Sequence, residues 1–273
     1  MKAVSWLCVL ILALAALSVL AQDAAPADQE GQDEAALAQA VNKLLEATVT
    51  FNEEALKAAT SEDAQVILSY FGAKFMKRDE FIDFVRYEET SQLTFPEKTL
   101  KVVGGMGFAN IKMTVPGYAD GFLYGVFAKT DGVWKLVYAL ADPTAASVSD
   151  SDRTKAEQLA EEFGQEMIKS AAEGKLDPLL SRLDKDHTLA GAWIGGQYMS
   201  AAGYDEVVSV LKMGEGNPTT TKFDDTGILV GNQVFAIWAG GSMGDGERQR
   251  MYSVAIGTIK DGKLSIAGLF ASM

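Results

Sequence analysis

The chain has 273 residues, 48% of them hydrophobic and 22% charged, values of an ordinary globular protein that exclude wholesale disorder. Lys and Arg number 24 against 37 Asp and Glu, a net charge of −13, and such an excess repels the phosphates a nucleic-acid binder must hold. A single Cys and a single His exclude disulfide scaffolds, Cys/His metal centres and most His-based catalytic triads.

Residues 1–21 have the layout of a signal peptide: Lys2 gives a positive start, Trp6 to Leu17 is an unbroken apolar run, and a polar acidic stretch opens at Gln22. Cys8 lies inside the apolar run, where a small hydrophobe belongs, rather than at its end where a lipid-modified Cys would sit. The expected product is exported, periplasmic or secreted, with no stable membrane span left after cleavage. Residues 22–32 are acidic and carry no aromatic or β-branched side chain, so they are expected to form a disordered spacer.

Two halves follow, residues 33–142 and 153–273, joined by a small, polar linker at 143–152. Each half opens with an amphipathic helix. Leu37, Val41, Leu44, Leu45 and Val49 keep three- and four-residue spacing in the first; Leu159, Phe163, Met167 and Ala171 do so in the second, after capping-box spacing at Thr154 to Glu157. Asp177-Pro178 predicts a further short helix in the second half. Each half then has an Asp-Glu helix start, at Asp79-Glu80 and at Asp205-Glu206, where acids suit the positive end of the helix dipole. After it the period changes to two, predicting antiparallel strands. Asp131-Gly132 and Asp261-Gly262 mark hairpin turns near the end of each half. The same order twice points to a duplication, and helices followed by a run of strands predict an α+β fold.

The order of elements, with Asp131-Gly132-Val133-Trp134-Lys135-Leu136-Val137 as the best single match, resembles the NTF2-like superfamily, near its SnoaL-like and ketosteroid-isomerase-like branch. The resemblance covers nearly the whole chain after residue 32, once per half. It implies two tandem cones, each a curved antiparallel sheet wrapped around a long helix with a pocket between them. Members of the superfamily include isomerases, dehydratases, binding modules and domains that only assemble. The acid–base set of the isomerase branch has no match here: the corresponding strands, Thr188 to Ile194 and Val234 to Trp238, offer Trp193 and Trp238 in place of an acid.

Other motifs are weak by their context. Gly240-Gly241-Ser242-Met243-Gly244 matches a nucleophile elbow in letters, but a strand-like segment follows it and the only His, His187, precedes it. Gly104-Gly105-Met106-Gly107 lacks the helix and Lys of a phosphate loop, and glycines within a strand mark a bend or bulge. His187, beside Asp184 and Asp186, is a weak candidate acid or base. No metal site and no cofactor is expected. Aromatic strand residues are the pocket candidates: Trp193, Tyr198, Trp238 and Tyr252 in the second half, and Phe75, Phe108, Tyr124 and Tyr138 in the first. They fit plain core or an interdomain face as well. The reading is a non-catalytic module that binds an apolar or aromatic small molecule or serves assembly. Its alternatives are a SnoaL-like lyase or isomerase in one cone, and a purely structural protein. The halves are expected to form an intramolecular pseudo-dimer through their sheets.

Overall fold

The structure, a computed structural model, describes residues 27–69, 72–88, 90–143, 149–194, 196–216, 221–242 and 250–273. The signal-peptide segment 1–21 lies outside the described residues. The chain divides into two compact units. One comprises Ala25 to Arg153 with Gly231 to Val234; the other is built from Thr154 to Val230 and Phe235 to Met273.

The first unit opens with helix α1 (Ala27–Thr50), which starts inside the stretch 22–32 marked by composition as spacer, and continues into α2 (Glu53–Ala59). Strands β1 (Thr60–Leu68) and β2 (Lys74–Lys77) precede α3 (Arg78–Tyr87) and a 3-10 turn (Thr90–Gln92). The long strands β3 (Lys98–Val103), β4 (Met106–Met113), β5 (Gly121–Thr130) and β6 (Val133–Asp142) complete it. The second unit repeats the series: α4 (Asp150–Glu173), α5 (Asp177–Leu180), β7 (Leu189–Ile194), β8 (Gln197–Ala202), α6 (Tyr204–Lys212), β9 (Lys222–Val230), β10 (Val234–Ser242), β11 (Arg250–Lys260) and β12 (Lys263–Ser272). Both sheets have six strands in the same order, β2-β1-β6-β5-β4-β3 and β8-β7-β12-β11-β10-β9. The α+β tandem fold expected from the sequence is therefore present.

The sheets are mixed rather than wholly antiparallel. β1 runs parallel to β6, and β7 parallel to β12. Period-two patterning reports which face a residue takes and is silent on strand direction. The chain returns to its first strand only after passing through a helix and the whole meander, and that long connection permits parallel pairing.

Local chemistry explains the elements. Leu37, Val41, Leu44 and Leu45 of α1 are buried against Val66, Ala109, Ile111, Phe127 and Leu136, each large side chain contributing about 1.5–3 kcal/mol on burial. Helix α4 buries Ala160 and Phe163 on Phe235, Ile237 and Ala255. Its N-cap is Ser149, whose hydroxyl accepts the Asp152 N–H at 3.2 Å. The capping-box spacing at Thr154 lies a turn inside the helix, because the small, polar residues before it are good caps themselves. The Asp-Glu starts act alike in both units. Glu80 accepts the Lys77 N–H at 2.8 Å, and Glu206 the Ala202 N–H at 3.1 Å. Both hairpin turns have positive φ at each central residue, 51° and 77° at Asp131-Gly132 and 51° and 68° at Asp261-Gly262, as a type I′ turn requires. Gly104 (φ 56°) lies in the turn between β3 and β4 rather than within a strand, which corrects the bend expected there. Among the described residues no helix is long and apolar enough to cross a membrane.

Candidate functional site

In the second unit a cavity of about 480 Å³ opens between α4 and the concave face of the sheet. The helix contributes Phe163, Gly164, Met167, Ile168 and Ser170 to its wall. The sheet contributes Ile228, Ile237, Ala239, Ser253, Ala255 and Leu269, and Leu176, Leu179 and Leu211 close one end. Met167, Ile168, Ala239 and Leu269 are only half-buried, so apolar surface faces solvent inside a concavity. Such a surface, with a few polar groups, is the usual form of a small-ligand site.

The first unit shows what this space would contain if it were closed. Its helix α1 ends with an Asn52 N–H to Ala47 C=O bond and Phe51 in the left-handed region (φ 45°). Helix α4 ends the same way, with Lys175 N–H to Ser170 C=O and Gly174 at φ 64°. Ala47 thus corresponds to Ser170, and Val41 to Gly164. The sheets are aligned by a shared bulge, at Val126/Phe127 in β5 and Ile256/Gly257 in β11. Counting from it, Leu123 corresponds to Ser253. Ile111 pairs with Leu123 across β4 and β5, and the Ala239 carbonyl lies beside Ser253, so Ile111 corresponds to Ala239.

In the first unit Ile111 is 1% exposed and Leu123 packs on the core. The 3-10 turn adds a cover there: Thr90 donates to the Thr48 carbonyl at 2.8 Å, and Phe95 packs onto the same core. Ile-to-Ala and Leu-to-Ser exchanges remove branched side chains from the floor of the second cone. One exchange is compensated. Gly164 stands where α1 has Val41, but Ile237 fills toward it, within 3.3 Å of where a Cβ at Gly164 would be. The floor exchanges have no such filling, and that is where the cavity lies.

The aromatic candidates take a different place. In the first unit, alternation with the core residues Val66, Leu68, Ala109 and Ala139 puts Phe108 and Tyr138 on the face of the sheet away from α1. Phe75, paired with Ile67, and Tyr124, next to inward Leu123, share that face. In the second unit Ala190, Ala192, Ile237 and Ala255 face α4, so Trp193, Trp238 and Tyr252 face away, and Tyr198 is paired with Trp193. Trp238 borders the cavity along its strand. Its indole lies over Gly227, the residue opposite it in β9: a Cβ there would fall 2.1 Å from Cζ2. Alternation thus gathers the aromatic candidates on one face of each sheet, with Trp238 alone among them also bordering the cavity. The floor residues Ser253 and Ala239 are small and gave no motif. Ser253 is reached from the sequence by extending the offset of the two Asp-Gly turns two residues beyond the matched strands, whereas the same offset sets Ile111 against Gly241, so Ala239 emerges only from the sheet register.

His187 sits on the loop before β7, outside the residues that line the cavity. Asp184 organises this loop. Its Oδ1 accepts the backbone N–H of Asp186 and of His187, both at 2.9 Å, and lies 3.1 Å from His187 Nδ1, while Ser265 donates to its Oδ2 at 3.2 Å. Burial pushes the Asp184 carboxyl up, but the two backbone N–H bonds and the His187 ring outweigh it and hold it below its ordinary value. The arrangement fixes a turn. Ser242 ends β10; the remainder of the Gly240–Gly244 motif lies outside the described residues.

With the cone and the repeat established, known structures can be set beside it. The chain is similar in fold to NTF2-like proteins. An NTF2-like protein of Silicibacter pomeroyi, described as of unknown function, shares 17% identity over 41% of this chain and 95% of its own, with a TM-score of 0.36. An NTF2-like protein with a cystatin-like fold from Novosphingobium aromaticivorans shares 14% over 46% of this chain and 90% of its own, TM-score 0.37. A cystatin-like fold protein of Burkholderia xenovorans shares 13% over 42% and 95%, TM-score 0.38. Each NTF2-like neighbour therefore spans less than half of this chain. No family profile matches the chain. No curated protein matches it.

Proposed function

We propose that the second unit is a binding module for a small, mostly apolar molecule held between α4 and the sheet, and that the first unit, its cone filled by its own side chains, serves the assembly. The observation that carries this reading is the paired loss of bulk on the cavity floor, Ile111 and Leu123 in one unit against Ala239 and Ser253 in the other. A non-catalytic role is supported by the chemistry of the floor, where the Ser253 hydroxyl donates to the Ala239 carbonyl at 3.3 Å rather than to a base. Export rests on the sequence of residues 1–21. The pseudo-dimer expected from the sequence stays a proposal, supported by the aromatic content of each sheet face taken by itself.

The test restores the first unit's residues in the second. Ala239→Ile with Ser253→Leu should raise the melting temperature of the free protein by filling the space, and should abolish binding of a fluorescent apolar probe such as naphthalene. Unchanged naphthalene binding in a folded double variant would reject the cavity as the site.

A further inference from the structure

We propose that Ser253 selects the ligand: the cavity takes an apolar body ending in one neutral polar group, a hydroxyl or carbonyl, and discriminates against the same body ending in a charge. The inference rests on the cavity-binding reading above and adds the chemistry of the ligand's end.

Polarity in the cavity wall is unevenly placed. Among the described lining residues the charged side chains are Glu161 and Lys175. Glu161 is on the exposed face of α4. The Lys175 side chain is 67% exposed and already paired with Glu173 at 2.6 Å. Neither is on the sheet floor. The floor's own half-buried polar side chain is Ser253, in the position that Leu123 fills in the other unit. Its neighbours Ala239 and Ala255 are too small to cover it, while Ile237 and Leu269 make the surround apolar.

A serine hydroxyl has one donor and two acceptor sites. Here the donor is spent on a bond of 3.3 Å to the Ala239 carbonyl, longer than the usual O–H···O distance of about 2.7–2.8 Å. A ligand hydroxyl can donate to the Ser253 oxygen with that bond intact, and a ligand carbonyl can take its proton by rotation of the hydroxyl. Either satisfies both partners. A carboxylate or ammonium at the same place would lose its water and gain a single neutral hydrogen bond, with no opposite charge within the floor. Burying a charge on those terms is far costlier than burying a hydroxyl that finds its bond.

The experiment uses four probes that share one ring system: naphthalene, 2-naphthol, 2-naphthoate and 2-naphthylmethylammonium, titrated at pH 7 into the full chain and into Ser253→Ala. The wild type should bind 2-naphthol at least about tenfold more tightly than either ion. Ser253→Ala should reduce the affinity for 2-naphthol by about 2- to 10-fold more than it changes that for naphthalene, the range of a single net hydrogen bond. Two results overturn the selection role: ions that bind as tightly as 2-naphthol, or a Ser253→Ala variant that weakens naphthalene and 2-naphthol equally. If naphthalene itself does not bind, the cavity reading falls and this inference with it.

Discussion

Gly227 and Trp238 oppose each other across β9 and β10, and the glycine exists to be covered. Any Cβ at 227 would strike the indole, so Gly227→Ala must displace the ring. A cost of about 1–3 kcal/mol is expected, as for other overpacked sites, with a shift of tryptophan emission that checks the cause. Asp184 supports a second prediction, on pH. Its carboxyl titrates below the ordinary value of 3.8 because N–H donors hold the charged form. Its stabilisation is therefore fully present above that value and is lost as pH falls through the lower, folded one. Urea midpoints of wild type and Asp184→Asn should differ at pH 7 and draw together as pH falls below 3.8; an unchanged gap would show that the charge is not what organises the turn. Residue by residue, the sequence overvalued size. Trp and Tyr drew attention as pocket residues; Trp238 does border the cavity, but alternation turns the aromatic candidates toward the other face, and the floor is set by the small side chains of Ala239 and Ser253, whose meaning appears only beside Ile111 and Leu123.

At the scale of elements, what repeats locally was legible. The Asp-Gly turns, the Asp-Glu helix starts and the three- and four-residue apolar spacing each encode their element within a few residues, and each occurs twice. Boundaries set by caps were less so. Helix α4 starts at Asp150 because Ser149 accepts the Asp152 N–H, within a stretch whose composition reads as linker. Ser149→Ala should cost about 1 kcal/mol, visible in a urea melt, whereas Thr154→Ala, a turn inside the helix, should cost little. Strand direction was not legible at all. The parallel joining of β7 to β12 is set by the third dimension, where a segment at Leu189 meets one at Gly268, and neither carries a local mark of it.

For the molecule as a whole, each sheet presents aromatic residues on the face its own helix leaves alone, and a large apolar face is rare on a free monomer. Chains comprising residues 27–143 or 149–273 alone should therefore self-associate, with sedimentation as the measure; two well-behaved monomers would remove the support for a pseudo-dimer. The tandem arrangement was legible because duplication leaves the same order of signals twice, whereas the difference in filling between the cones needed the register of both sheets. The strand order carries one more consequence, for the chain during its synthesis. β12 is last in sequence and lies between β7 and β11 in space. While the ribosome is still making residues 263–272, the β7–β8 hairpin and the β9–β11 meander have no strand to join them. The second unit must wait as two unconnected pieces with open strand edges, the state most exposed to mispairing and to chaperones.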